Sequence, residues 1–419
     1  MMIRAVVPLV LVTCLICRIQ TGLAAEADDL TDRTYSLDDI VALAMEHSPA
    51  LASAEGLVKQ SHGRQIAAEA YPNPSVAGTL GRGAIRDPSN GIRVTERTFT
   101  VEQPIEWGGK RQARREVADA GFAEASATLE VAKLTVVADV KEAFYRLLFA
   151  QPDAELAIQN VATVEEVLRT VRARVAAGEA TSFDTLKAGV EVQKAQKEVA
   201  RAQNELVVAR TRLNTLTTGV VGKQFSIRGD FRSLRPGADL ERLADQAMEN
   251  HPVVRRLTKR AEQAGHAVHY ERAARVPNVT IQGMYHREAG DESLVAGISV
   301  PLPLWYRRQG EIETALGGKY HAEAERVKAQ YELAQSITQH VQEVRTAQDQ
   351  LKVFEGGLLM QAEQTLAVAR TSFREGASGL LDVLDAQRVF RQTQLEYAQV
   401  RAGLSIALAR LERAMGMPL

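Results

Sequence analysis

The sequence predicts a mainly α-helical chain that also supplies four β-strands to a membrane β-barrel. Three observations predict it. The chain is written twice along its length, each copy holds long Ala-rich stretches poor in proline, and each carries two short segments of alternating polarity. Of the 419 residues 45% are hydrophobic but only 5% aromatic, a balance that suits helix-on-helix seams of Ala, Val and Leu better than an aromatic-rich enzyme core.

The duplication is read residue by residue. Leu37-Asp-Asp-Ile-Val-Ala-Leu-Ala-Met-Glu-His-Ser-Pro-Ala-Leu51 returns as Leu240-Glu-Arg-Leu-Ala-Asp-Gln-Ala-Met-Glu-Asn-His-Pro-Val-Val254. Pro72-Asn73 returns as Pro277-Asn278, and Gly178-x-x-x-x-Phe183-Asp184-x-Leu186-x-Ala188 as Gly376-x-x-x-x-Leu381-Asp382-x-Leu384-x-Ala386. The matched pairs keep a spacing of 198 to 205 positions, which chance alignment of Ala-rich helices would not hold. Two structural repeats follow, 36–218 and 240–416, joined by 219–239, with a short tail at 417–419.

Before them, residues 1–25 read as an export signal: Arg4, an apolar run from Ala5 to Ile16, then small residues up to Ala25, with 26–35 as the mature N-terminal segment. Cys14 and Cys17 both fall in the leader, so the mature chain is expected to have neither a disulfide nor a cysteine metal site.

Each repeat then follows one order of elements. Ser36 or Asp38 caps a short helix and Pro49 opens a second. Strands are expected at about 74–83 and 93–103 in the first repeat, and at about 278–286 and 294–302 in the second. Val279, Ile281, Gly283 and Tyr285 share one face with Asn278, Thr280, Gln282, Met284 and His286 on the other. Leu294, Ala296, Ile298 and Val300 continue an apolar face after a Gly290-Asp-Glu-Ser293 turn. Glu96, Thr98, Thr100 and Glu102 form a polar face that suits a wet lumen. Long helices are expected at about 109–177 and 307–375, the first spanning roughly 100 Å at about 1.5 Å per residue. Shorter helices lie beside each, and Pro152 and Gly356-Gly357 mark a shared depth where such a wall kinks.

Four strands cannot close a barrel, and unpaired strand edges in lipid are prohibitively costly. Three copies would give twelve strands and an open lumen, so a homotrimer is the smallest duct through lipid. Trp107 and Trp305 each follow the last strand of a repeat, where an aromatic anchors a membrane interface. Asp382 and Asp385 are three residues apart and share a helix face; if that face looks into the axis of a trimer, six such carboxylates converge into a cation-attracting constriction, the alternative being solvated acids favoured by the dipole near a helix N-terminus.

Other function classes find no support. With 51 basic against 52 acidic residues, no field draws nucleic acid. No phosphate loop, nucleophile elbow or dinucleotide fingerprint occurs, so no enzyme activity and no cofactor are expected. His266-x-x-His269 is the only close histidine pair; without a carboxylate arrangement in sequence to complete it, it reads as a solvated helix face and no metal site is assigned.

The whole mature chain resembles the TolC-like outer-membrane efflux proteins. The resemblance is carried by the duplicated Ala-Met-Glu-x-x-Pro opening and by Phe99-Thr-Val-Glu-Gln-Pro-Ile-Glu-Trp-Gly-Gly-Lys-Arg111. Ser299-Val-Pro-Leu-Pro-Leu-Trp-Tyr-Arg-Arg-Gln-Gly310 and Gly376-Ala-Ser-Gly-Leu-Leu-Asp-Val-Leu-Asp-Ala-Gln387 complete it. The Pro-Ile-Glu-Trp-Gly-Gly-Lys-Arg and Arg-Arg-Gln-Gly segments look most like the CzcC/CusC-like branch that serves cation-exporting pumps. The resemblance implies a trimeric twelve-stranded barrel in outer-membrane lipid, continued by a periplasmic α-helical barrel, docked to a periplasmic adaptor (membrane fusion protein) and an inner-membrane pump of RND type. It implies heavy-metal efflux, with multidrug or type I protein-secretion export as the alternative; a secreted coiled-coil scaffold is the rival from another class. It places adaptor-docking tips at Gly178, Thr181, Ser182, Gly376, Ser378 and Gly379, and the pore constriction at Asp382, Asp385 and Asp184. The family's closed-state lock uses an aromatic hydroxyl and an arginine where this chain has Phe373 and Ser378, so Asp184 lacks that arginine partner.

Overall fold

The computed structural model describes residues 34–85, 92–233, 242, 250–288 and 290–419. The expected leader, the Arg86–Gly91 loop, residues 234–239 of the joint and most of the helix expected from Leu240 lie outside the described residues. Along the chain run β1 (Thr34–Tyr35), α1 (Leu37–His47), α2 (Pro49–Glu69), β2 (Ser75–Ile85), β3 (Ile92–Ile105), α3 (Lys110–Ala176) and α4 (Ser182–Leu216). There follow β4 (Ser226–Ile227), α5 (Pro252–Ala273), β5 (Val279–Glu288), β6 (Asp291–Ser299), α6 (Gln309–Val353), a π-helical turn (Phe354–Leu358), α7 (Leu359–Arg374) and α8 (Leu380–Met415).

The chain divides into two compact units. One comprises Pro49–Ala138, Leu234–Arg345 and Ala407–Leu419 and carries a four-stranded antiparallel sheet of order β2-β3-β5-β6. Its register passes the parity of each strand to the next. Val76, Val101, Gly283 and Ala296 stand in one row, and Gly78, Phe99, Tyr285 and Leu294 in the next row on the same face. The face between them holds Thr79, Thr98, His286 and Ser293, and further along Ser75, Glu102, Gln282 and Gly297. One side is thus mainly apolar, with Arg97, Arg287 and Glu292 beside Leu80 toward the β2–β3 loop, and the other mainly polar, with Met284 and Val295 among its members. On the polar side Thr98 Oγ1 and His286 Nδ1 lie 3.0 Å apart. On the mainly apolar side Leu80 of β2 and Leu294 and Ile298 of β6 are all more than 70% exposed. The outer strands are β2 and β6, whose free edges have no strand partner among the described residues.

The strand bounds depart from the sequence reading at one turn. Residues 291–293, expected in the β5–β6 turn, belong to β6, because pairing continues to Glu288↔Asp291 and Gly290 at φ +100° makes the reversal more tightly than a four-residue turn would. β6 stops at Ser299 rather than 302, where Pro301 and Pro303 remove ladder donors.

The other unit comprises Met1–Ser48, Asp139–Ser233 and Thr346–Ile406, and here β1 pairs in parallel with β4. Its helices bury narrow stripes. α4 hides Ala188, Val192, Ala195 and Ala202, at steps of four, three and seven, the seam of a coiled coil rather than a broad core-facing face. Phe144, Tyr145 and Leu147 of α3 are fully buried, with Phe144 closing on the backbone of Gly229. Asp153 is buried beside Arg201 of α4 at 3.3 Å; burial pushes its carboxyl up and the guanidinium holds it down.

The two expected long helices differ. α3 is helical throughout its 67 residues and passes through Pro152, which forfeits one backbone hydrogen bond. The second, expected at about 307–375 with a kink at Gly356-Gly357, is interrupted at Phe354–Leu358, where Gly357 adopts φ +123°. Only glycine takes that conformation without strain. The interruption is therefore a backbone feature of one repeat, not of both.

Gly357→Ala is expected to destabilise the protein by about 1–3 kcal/mol through forced backbone strain. Gly356→Ala, at a neighbouring position of the same turn with negative φ and open space around it, is expected to be neutral or to stabilise by about 0.4–1 kcal/mol. Thermal unfolding of the two variants side by side checks this; equal effects would contradict it.

Candidate functional site

The two glycine-marked turns are built from the same backbone bonds. In the first, Gly178 at φ +78° ends α3, Gly178 N–H donates to Val175 O at 3.1 Å and Glu179 N–H to Arg174 O at 2.8 Å. In the second, Gly376 at φ +76° ends α7, Gly376 N–H donates to Phe373 O at 3.1 Å and Ala377 N–H to Ser372 O at 2.8 Å. Each pair is a Schellman closure, which satisfies helix-end carbonyls and needs a left-handed residue where the glycine stands.

The next helix starts on a carboxylate in both turns. Thr181 N–H donates to Asp184 Oδ2 at 3.0 Å while Asp184 N–H donates back to Thr181 Oγ1 at 3.3 Å, a complete capping box. Gly379 N–H donates to Asp382 Oδ2 at 3.0 Å, but glycine has no hydroxyl to return the bond. Asp184 and Asp382 are thus the same device in the two repeats. The Thr181 backbone N–H, and then its hydroxyl, hold the Asp184 carboxyl below the usual carboxylate range.

Asp385 lies one turn into α8 and forms a 2.5 Å ion pair with Arg388. It shares the exposed side of α8 with Asp382, while Val383 and Ala386, the residue after each, are buried. The structure brings Asp382 and Asp385 to one face and leaves Asp184 at the start of a different helix. Thr181, Ser182, Gly178, Gly376 and Gly379 are all exposed, and Ser378 is partly covered.

An apolar cluster of Val171, Ala188, Phe373, Leu380 and Val383 packs the two turns against each other. Arg174 joins them a second way: Nη1 donates to Phe373 O at 3.3 Å, and the guanidinium lies 4.8 Å from the centre of the Phe373 ring. The ring that lacks a hydroxyl for locking is used for packing. Sequence reasoning missed Arg174, although a cation in the last turn of a helix is a signal in itself. It also missed Phe183, Leu186 and Val190, exposed at steps of three and four on α4.

In the sheet-bearing unit, Trp107 Nε1 donates to Pro277 O at 2.6 Å with the ring half exposed, whereas Trp305 is 91% exposed. Their places in the two repeats correspond, but their surroundings do not. Lys110 and Arg308, just beyond them, are anchored by Asn278 and Glu271. The same unit also brings together what the sequence kept apart. Glu116 of α3 lies beside His266 and His269 of α5, with one ligand atom from each within 4.8 Å of the others.

Residues 40–219 and 243–417 match the family described as Outer membrane efflux protein. The cobalt-zinc-cadmium resistance protein CzcC of Cupriavidus metallidurans is 28% identical over 384 residues, covering 91% of this chain and 90% of that protein. The nickel and cobalt resistance protein CnrC of the same organism is 29% identical over 272 residues, 64% of each chain. A crystal structure of CusC superposes with a TM-score of 0.78, covering 91% of this chain and 92% of that one at 16% identity, which speaks for the fold alone. Mainly helical, with strands for an outer-membrane barrel, is the fold common to them.

The lowered Asp184 carboxyl sets a direction for acid. The cap's stabilisation is present above the ordinary carboxylate range, near pH 4, and is lost as pH falls through the lower folded value. Hydrogen exchange of a peptide covering 179–186 is expected to keep its protection at pH 4–5 and lose it further down, and Asp184→Ala to abolish it at every pH. Unchanged protection in the variant would remove the cap from the account.

Proposed function

The chain belongs to the outer membrane efflux protein family, and on that premise we propose that it is the exit duct of a heavy-metal cation efflux system. It is an outer-membrane channel protein. The cargo reading rests on relatives named for cobalt, zinc, cadmium and nickel resistance. The duct reading is carried by one observation: a sheet with a mainly apolar and a mainly polar face whose two edges have no strand partner among the described residues. Three copies place twelve strands edge to edge, put Phe99, Leu294 and Ile298 toward lipid and line the lumen with Thr98, Glu102 and Gln282.

The paired turns are the end to which a periplasmic adaptor docks, delivering cations from an inner-membrane pump of RND type. Glycines there let another chain approach closely, and Phe183, Leu186 and Val190 offer an apolar strip beside them. Around the trimer axis Asp382 and Asp385 converge, so the closed mouth concentrates cations and repels itself. Closure relies on packing at Phe373 and Arg174, since the arginine that would pair Asp184 is Ser378 here.

Deleting the gene is expected to lower tolerance to zinc, cobalt, nickel or cadmium and to leave the outer membrane without a heat-modifiable trimer. Tolerance unchanged for all four would overturn the cargo. In planar bilayers, Asp382→Ala with Asp385→Ala is expected to raise conductance and weaken block by multivalent cations. Asp385→Asn separates charge from cap loss, because Asp382 also caps α8. Wild-type conductance and block in both variants would move the constriction elsewhere.

A further inference from the structure

We propose that Glu116, His266 and His269 form a binding site for one divalent transition-metal ion of the class that accepts imidazole and carboxylate together: zinc, cobalt, nickel or copper(II). The inference rests on side-chain geometry in one unit of the chain and holds whatever the duct exports.

His266 and His269 are three residues apart on α5, so both rings leave the same side of the helix. Their centroids are 6.3 Å apart and their planes nearly perpendicular, so the rings are not stacked on one another. Glu116 comes from α3, with Oε2 3.4 Å from His266 Nδ1. Two donors bound to one tetrahedral zinc at 2.0–2.1 Å stand about 3.3 Å apart, so this pair is already at chelating distance. All three ligand atoms lie within 4.8 Å of one another, and His269, the exposed member, is the one left to turn toward the other two.

The surroundings support the site. Glu116 Oε1 accepts a hydrogen bond from Gln112 Nε2 at 3.0 Å, which orients the carboxylate and leaves Oε2 for the ion. α3 and α5 meet closely where Gly121 faces Gln263: a Cβ on Gly121 would stand 2.7 Å from Gln263 Nε2. The Gln263 side chain thus reaches across from α5 to α3 beside the three ligand residues. Glu116 and His266 are partly buried and His269 is exposed, so an ion enters from solvent and keeps water on its open positions. Two imidazoles disfavour magnesium and calcium, which want oxygen alone, and the absence of sulfur disfavours copper(I). A bound ion would clamp α3 to α5.

The test uses purified full-length protein in detergent, stripped with chelator and titrated with Co²⁺, whose visible d–d absorption reports nitrogen and oxygen ligation, with Zn²⁺ as competitor. One Co²⁺ per chain is expected above any background that survives in His266→Ala/His269→Ala. Glu116→Gln is expected to weaken binding by about tenfold or more. Metal is expected to raise the unfolding temperature of the wild type and not of the double variant. Equal stoichiometry and affinity in wild type and double variant, or no cobalt band in either, would overturn the site. If the double variant fails to assemble, His269→Gln alters only an exposed ring and decides the same question. A metal-sensitive deletion strain whose protein gives no cobalt band sinks this site and leaves the duct; a cobalt band with unchanged metal tolerance does the reverse.

Discussion

Backbone hydrogen bonding decides where this chain can end an element and where it cannot. Each glycine turn closes its helix with two carbonyl bonds and opens the next with a carboxylate bonded to a backbone N–H, so both reversals complete their bonding locally. The sheet is the opposite case. β2 and β6 leave a row of donors and acceptors with no strand beside them among the described residues. In lipid such edges must find partners, and copies of the same chain supply them at no extra sequence cost. The turns are self-sufficient, while the sheet requires assembly.

The helices obey a related economy. Ala at the seam positions of α4 lets a neighbouring helix approach with little side-chain volume between them, and α4 buries only a narrow stripe over most of its length. Such a stripe leaves the opposite helix face free for charge, and the i,i+3 and i,i+4 ion pairs Arg201–Glu198 and Arg201–Glu205 occupy such positions on α4. The interruption at Gly357 is possible because the stripe there is narrow: no buried residue falls within Phe354–Leu358.

Duplication explains the likeness of the repeats, and divergence explains where chemistry can sit. Asp184 and Asp382 remain one device, yet Thr181 completes its box and Gly379 does not. Trp107 is tied to Pro277 O while Trp305 stands open. Glu116 meets two histidines, whereas the position 198 residues later is Thr314. A duplicated scaffold keeps its backbone solutions and lets single side chains drift apart.

The sequence by itself determined the local features. Period-two alternation gave the strands and the character of their two sides, and the repeated glycine and aspartate gave the turns, because each depends on residues a few positions apart. It did not show that Phe373 and Arg174 join the turns, that Gly357 breaks a helix which Pro152 leaves intact, or that β6 begins at Asp291. Those depend on packing, on a φ angle and on register with a partner strand. The metal ligands make the contrast sharpest. His266 and His269 were visible as a pair, but the carboxylate that completes them lies 150 positions earlier, on a helix whose place beside α5 only the tertiary structure decides.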